Sequence, residues 1–164
     1  MVADAIEVRA ARPEDVPGAA RLAARLVREH HAYDPLRFMS LEPIEPGYAR
    51  FLAGQIGRSE VVFLIARDTA APDGEVLVYI FATLEDRNWS DLRDACGKIH
   101  DVYVDESVRR HGVARRLVEA AVTACIDLGA PRVVLMTAWR NDHARAFFAR
   151  LGFRPTMLEM TREA

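Results

Sequence analysis

Lysine is almost missing from this chain: of 22 basic residues, Lys98 alone is not arginine. Arginine therefore carries nearly all the positive charge, which reads as a GC-rich coding bias rather than as a binding mode. Excess charge of one sign is missing too. A net charge of −2 gives no bulk field for a nucleic acid or an anionic membrane surface. Cysteine is scarce, with only Cys96 and Cys125, in unrelated sequence contexts. That excludes a disulfide scaffold and suggests two free thiols in a cytoplasmic protein. No run approaches the roughly 20 apolar residues of a membrane span. The N-terminus, with Asp4 and Glu7, lacks the basic-then-apolar layout of a signal peptide. There is no phosphate-binding loop with its lysine, no dinucleotide-type glycine triplet, no internal repeat and no low-complexity linker. At 164 residues the chain is expected to be one domain, spanning 1–164, with enough length for a sizeable core.

What is present is an order of elements. Ile6 and Val8 alternate with polar neighbours, as in a short strand. Arg12-Pro13-Glu14-Asp15 starts a helix, with proline in the first turn and acids near its positive end. Val16, Ala20, Ala23, Val27 and His30 keep helical spacing up to Asp34-Pro35. Residues 35–46, with three prolines, read as a loop, and Tyr48 to Ile56 as a second helix. Val61 to Ala66 and Glu75 to Leu84 read as strands joined at Asp73-Gly74. Ile99 to Val104 is a further strand. A helix follows on Val113, Leu117, Ala120, Ala121, Ala124 and Leu128, ended by Gly129 and Pro131, with Cys125 off that face. Val133 to Met136 is a strand. Asn141 or Asp142 caps a helix bearing Ala144, Phe147, Phe148 and Leu151. Thr156 to Met160 reads as a last strand. The order predicts an α/β fold: a mixed sheet with helices on both faces.

The most informative stretch runs from Val102 to Ala114. A strand ends in a short basic turn that opens a helix, a layout that aims backbone N–H groups and a helix N-terminus at one anion. Gly112 lets the backbone approach the ligand, Ala114 stays small, and Arg109, Arg110 and His111 add donors. The arrangement suits a pyrophosphate.

Arg109-Arg110-His111-Gly112-Val113-Ala114 resembles the Arg/Gln-x-x-Gly-x-Gly/Ala motif of the GNAT (Gcn5-related) N-acetyltransferases. Asn141, Ala144, Phe147 and Leu151-Gly152-Phe153 resemble the family's second signature, and Val8 to Asp15 its usual opening. The similarity covers essentially the whole chain. It implies a mostly antiparallel central sheet and acetyl-CoA as acetyl donor, with no metal. It further implies a pyrophosphate on the turn of Arg109, Arg110, His111, Gly112, Val113 and Ala114. The pantetheine would lie along the strand of Val102 and Val104, whose N–H groups would polarise the thioester carbonyl. Asn141 would reach the pantetheine amide, and Phe148 would lie at the same cofactor.

The chain departs from the family at Phe148. Many members have there a tyrosine that protonates the leaving thiolate, and a phenyl ring cannot. Either another group serves, Tyr103 being one stand-in, or the protein binds acetyl-CoA with little turnover, as a sensing domain. An adapter with no CoA affinity is a third reading. A base for the attacking amine is expected on the strand, from Asp101 or His100. Alternation lets one of them face the acceptor, barring a bulge, and Asp101 is favoured. Asp101 can equally be a sheet-surface carboxylate bonded to a neighbouring amide. His31, Tyr33, Asp34 and Arg37, in the region that lines the acceptor pocket in the family, and Trp89, in the Glu85–Trp89 loop, are candidate acceptor contacts. The expected acceptor is a primary amine of a small molecule or peptide. Only eleven residues follow Phe153, so a sheet edge is expected to stay open to a second subunit.

Overall fold

The structure is a computed structural model that describes residues 6–70 and 74–164. Five strands form one sheet in the order β1 (Ile6–Ala10), β2 (Val61–Asp68), β3 (Val76–Glu85), β4 (Cys96–Val104) and β5 (Val133–Leu135). The first four are antiparallel to their neighbours, and β5 runs parallel to β4. Helices α1 (Val16–Tyr33) and α2 (Ile44–Ala53) cover one face, and α3 (Val113–Asp127) and α4 (Asp142–Arg150) the other. The mixed, mostly antiparallel sheet with helices on both faces is therefore present.

Each face has its own core. Val16, Ala19, Leu22 and Ala23 of α1 pack with Leu52, Phe63, Tyr79, Phe81 and Tyr103. On the other side, Ile80, Ala82 and Ile99 meet Val113, Leu117, Val118, Ala121, Cys125 and Phe148. Central β3 is buried from Val76 to Ala82, because both of its faces are covered. One charge lies deep at the start of α1. The Asp15 carboxylate, 2% exposed, accepts two bonds from Arg9 (2.6 and 3.0 Å) and the Arg12 N–H (2.8 Å).

Four details differ from the sequence reading. Helix α2 begins at Ile44, inside the proline-rich segment. Pro46 falls in its first turn, where an N–H has no helical partner to lose. Thr156 to Met160 is not a strand. An apolar strand needs an edge to pair with, and Met157 and Met160 are instead 87% and 85% exposed. Cys125 is fully buried on the core face of α3, whereas Leu128 is 46% exposed. The two cysteines are also not unrelated: both lie beside Gly97, where Cys125 packs so closely that an added Cβ would stand 2.7 Å from its Cβ. Asp73 lies outside the described residues; Gly74 keeps a left-handed φ of +43°.

Candidate active site

The site begins where β4 and β5 part. β5 is paired with β4 only over Gly97–Ile99, so His100 to Val104 present an open edge on that side. The direction of the backbone groups follows from one bond. The Asp105 N–H donates to the Leu77 carbonyl (2.8 Å), toward β3. By antiparallel alternation, Tyr103 points the same way, and the N–H and C=O groups of Val102 and Val104 point into the open edge. In agreement, the Val104 carbonyl accepts from Arg109 Nε there (3.2 Å).

Beyond β4 the chain turns sharply. Asp105 fixes the start of the turn by accepting from the Ser107 N–H (3.0 Å), the Ser107 hydroxyl (2.7 Å) and Arg25 (2.6 Å). Arg110 and Gly112 are both left-handed, with φ +68° and +76°. This conformation rotates successive N–H groups toward one side. Gly112 precedes α3 directly, and no side chain caps that helix. Its first N–H groups have no partner within the helix and remain for a ligand. An added Cβ at Gly112 would meet nothing within 4 Å. The turn is thus open to solvent, flanked by the exposed Arg110 and His111, with Val113 buried and Ala114 half-buried. A diphosphate of charge about −2 fits this donor set.

Asn141 caps α4 by accepting from the Ala144 N–H (3.0 Å), which leaves its amide NH2 as a donor. Phe148 is 7% exposed and packs between Phe147 and Phe153 (ring centres 5.2 and 5.7 Å). No proton donor stands at that position. The Tyr103 hydroxyl lies on the α1 side of the sheet, donating to Glu29 (2.6 Å) with Arg109 over its ring. Burial, and then the Glu29 carboxylate, push it up to about 12.

His100 and Asp101 share one face because the strand is irregular. Phe81 pairs with Asp101, and Ala82 with Ile99, which leaves His100 as an extra residue in a bulge. Asp101 therefore joins Phe81 and Tyr79 on the α1–α2 side. His100 lies there too, its ring 5.4 Å from Phe81 and its Nε2 2.8 Å from Thr83 Oγ1. Both line a cavity of about 670 Å³ with Met39, Tyr48, Phe51, Gln55, Arg58 and Thr83. Burial raises the Asp101 carboxyl above the ordinary carboxylate range, despite hydroxyl bonds from Tyr79 (3.3 Å) and Tyr48 and the nearby His30. Burial and Lys98 lower the His100 imidazole, against the pull of Glu85, which favours its neutral form.

None of His31, Tyr33, Asp34, Arg37 or Trp89 lines this cavity. His31 Nδ1 bonds the Phe38 carbonyl (2.7 Å), the Tyr33 carbonyl accepts from Arg140 (2.8 Å), and Asp34 accepts from the Leu36 N–H (3.2 Å). Arg37 is held by Glu159 in an ion pair. Trp89 is 77% exposed, with Arg87 over its ring. The cavity's aromatic wall comes instead from α2. Tyr48 and Phe51, three residues apart on one helical face, were the available signal for it. Among the described residues no group of His, Cys, Asp and Glu can hold a metal. No helix there is long and apolar enough to cross a membrane.

The model of the acetyltransferase (GNAT) family matches residues 25–153. Among solved structures, a tetramutant of the BH1408 protein from Bacillus halodurans superposes with a TM-score of 0.81 at 22% identity, over 96% of this chain and 99% of that one. The aminoglycoside N-acetyltransferase AAC(6')-Iy in complex with CoA gives 0.76 at 16% identity, over 97% and 94%. Glucosamine-6-phosphate N-acetyltransferase from Arabidopsis thaliana gives 0.70 at 16% identity, over 96% and 97%.

Proposed function

The chain belongs to the acetyltransferase (GNAT) family, and from that premise we propose that it transfers the acetyl group of acetyl-CoA to a primary amine by direct attack in a ternary complex. The observation that carries this reading is the uncapped, left-handed turn into α3 lying directly beside the open edge of β4. Two similar structures, an aminoglycoside and a glucosamine-6-phosphate N-acetyltransferase, are by name enzymes that acetylate amines.

Bound acetyl-CoA supplies an activated acyl thioester. The chain's own residues do the rest. The N–H groups from Arg110 to Ala114 hold the pyrophosphate, beside the exposed Arg110 and His111, while the Arg109 guanidinium stays with the Val104 carbonyl and Glu29. The Val102 and Val104 edge pairs with the pantetheine, and the Asn141 amide donates to it. An edge N–H placed at the thioester oxygen stabilises the charge that develops there in the transition state. Across the sheet, Asp101 attracts the acceptor's ammonium and takes its proton. The free amine then forms its N–C bond as the C–S bond breaks. On becoming an amide the nitrogen sheds a second proton, and His100, with its pKa lowered by burial, is placed to accept it. With phenylalanine at position 148, the modest basicity of the thiolate lets it leave unprotonated, and the proton shed by the amine reaches it through water.

Phe148 also motivates a second reading, an acyl-CoA-binding sensor without turnover. Thiol release from acetyl-CoA with a broad panel of amines separates the two. Sustained, amine-dependent release is expected; saturable acetyl-CoA binding without release by any amine would favour the sensor.

A further inference from the structure

Resting on the acetyl-transfer reading above, we propose that the acceptor is a small monoamine on an apolar or aromatic body, such as an arylalkylamine, and that Phe51 sets this preference.

The cavity beside Asp101 holds about 670 Å³, within the usual range for a small-molecule site. Its walls are chiefly Met39, Tyr48, Phe51 and Phe81. Phe81 is 4% exposed and pairs with Asp101 across the strands, so an aromatic surface begins directly beside the carboxylate. Phe51 continues it outward. Its ring packs edge-on to Phe81 (5.3 Å) and Tyr48 (6.4 Å), yet the residue stays 46% exposed. Half of a large apolar side chain is thus left uncovered at the mouth of a cavity whose inner end bears a carboxylate.

The polar groups of the cavity argue the same way, because each already has at least one bond within the protein. The Thr83 hydroxyl is bonded to His100 (2.8 Å), and the Tyr48 hydroxyl is directed at Asp101. The Gln55 amide donates to the Phe51 carbonyl (3.3 Å). Arg58, the single guanidinium, gives both Nε (2.8 Å) and Nη2 (2.5 Å) to Glu60. A hydroxyl-rich acceptor would lose its water here without gaining equivalent bonds. A phosphorylated acceptor would find its cation already engaged. A polyamine would bring several ammonium charges to one carboxylate. A single ammonium on an apolar body meets Asp101 at one end and Phe51 at the other.

The test is steady-state thiol release from acetyl-CoA with phenethylamine, glucosamine 6-phosphate and kanamycin. The expected kcat/KM for phenethylamine exceeds the other two by about tenfold or more, the scale on which apolar contacts discriminate. Phe51→Ala should raise the phenethylamine KM about tenfold with a smaller change in kcat, and Phe51→Trp should restore it. Faster turnover of either sugar amine, or a KM indifferent to Phe51→Ala, would overturn the proposed class while leaving acetyl transfer standing. Titration of phenethylamine into the protein saturated with CoA separates the opposite failure. Binding weakened by Phe51→Ala, with no release from any amine, would keep the ligand class and remove the transferase reading.

Discussion

Replacing Asp101 with asparagine should change activity and stability in opposite directions. The Asp101 carboxyl sits beside the His100 bulge with its pKa raised by burial, against the bonds from Tyr79 and Tyr48 and the nearby His30. A group whose folded pKa exceeds its unfolded value contributes stability that is fully present below the unfolded pKa. That contribution is lost as pH rises through the folded pKa. At pH 8 the folded wild type therefore holds a carboxylate that would be better solvated in the unfolded chain. A tenfold difference in proton affinity between the two states is worth about 1.4 kcal/mol. Asparagine keeps the shape, and its Oδ1 still accepts from the Tyr79 hydroxyl, without the charge. Asp101→Asn should thus be more stable than wild type by on the order of 1 kcal/mol at pH 8. The advantage should hold down to the folded pKa and then shrink as pH falls on toward the unfolded one. The same change removes the proton acceptor and should lower kcat/KM by about 10²–10⁴-fold. Urea unfolding across pH, with thiol release on the same preparations, measures both. A variant destabilised at pH 8 would mean that Asp101 is a structural partner, and full activity would mean that it takes no proton from the amine.

Asp15 should behave in the opposite sense. Burial alone would raise its carboxyl, but the Arg9 bond, the Arg12 N–H and the charges of Arg9 and Arg67 outweigh that and lower it. Its contribution is present above the unfolded pKa and lost as pH falls through the folded one. Asp15→Ala should cost about 3–5 kcal/mol in urea unfolding at pH 7, with the gap to wild type closing in acid; a cost under 1 kcal/mol would contradict the pairing. Gly97→Ala would place a Cβ 2.7 Å from the Cys125 Cβ and 2.8 Å from its Sγ. It should cost about 1–3 kcal/mol, since neither β4 nor α3 can yield freely. Cys96 and Cys125 are 1% and 0% exposed, and burial raises both thiols. A disulfide-exchange reagent should modify them rapidly only after denaturant is added, and fast labelling of the native protein would refute their placement.

Periodicity and turn residues made most of the fold legible, because each of those signals is local. The strand before Asp105, the turn through Gly112 and the helix after it were readable as one unit for that reason. The rest depends on partners. A bulge exists only relative to the opposite strand, so nothing in Ile99-His100-Asp101 says that two adjacent side chains will share a face. Tyr48 and Phe51 reach the cavity through the packing of α2 on the sheet, whereas the more conspicuous His31, Tyr33, Asp34 and Arg37 are bonded elsewhere. Thr156 to Met160 is rich in apolar residues, yet lies exposed and outside the sheet, since composition supplies no neighbouring strand to bond to.

The most direct test of the account is a calorimetric titration of acetyl-CoA into the wild-type protein and into Gly112→Val. The substitution sits at φ +76° in open space, so it should cost only about 1–2 kcal/mol of backbone strain and leave the fold intact. Saturable one-to-one binding by wild type, lost in the variant, is the predicted result. No heat of binding from a folded wild-type protein, or equal affinity in the variant, would contradict the assignment of the Arg109–Ala114 turn as the pyrophosphate cradle.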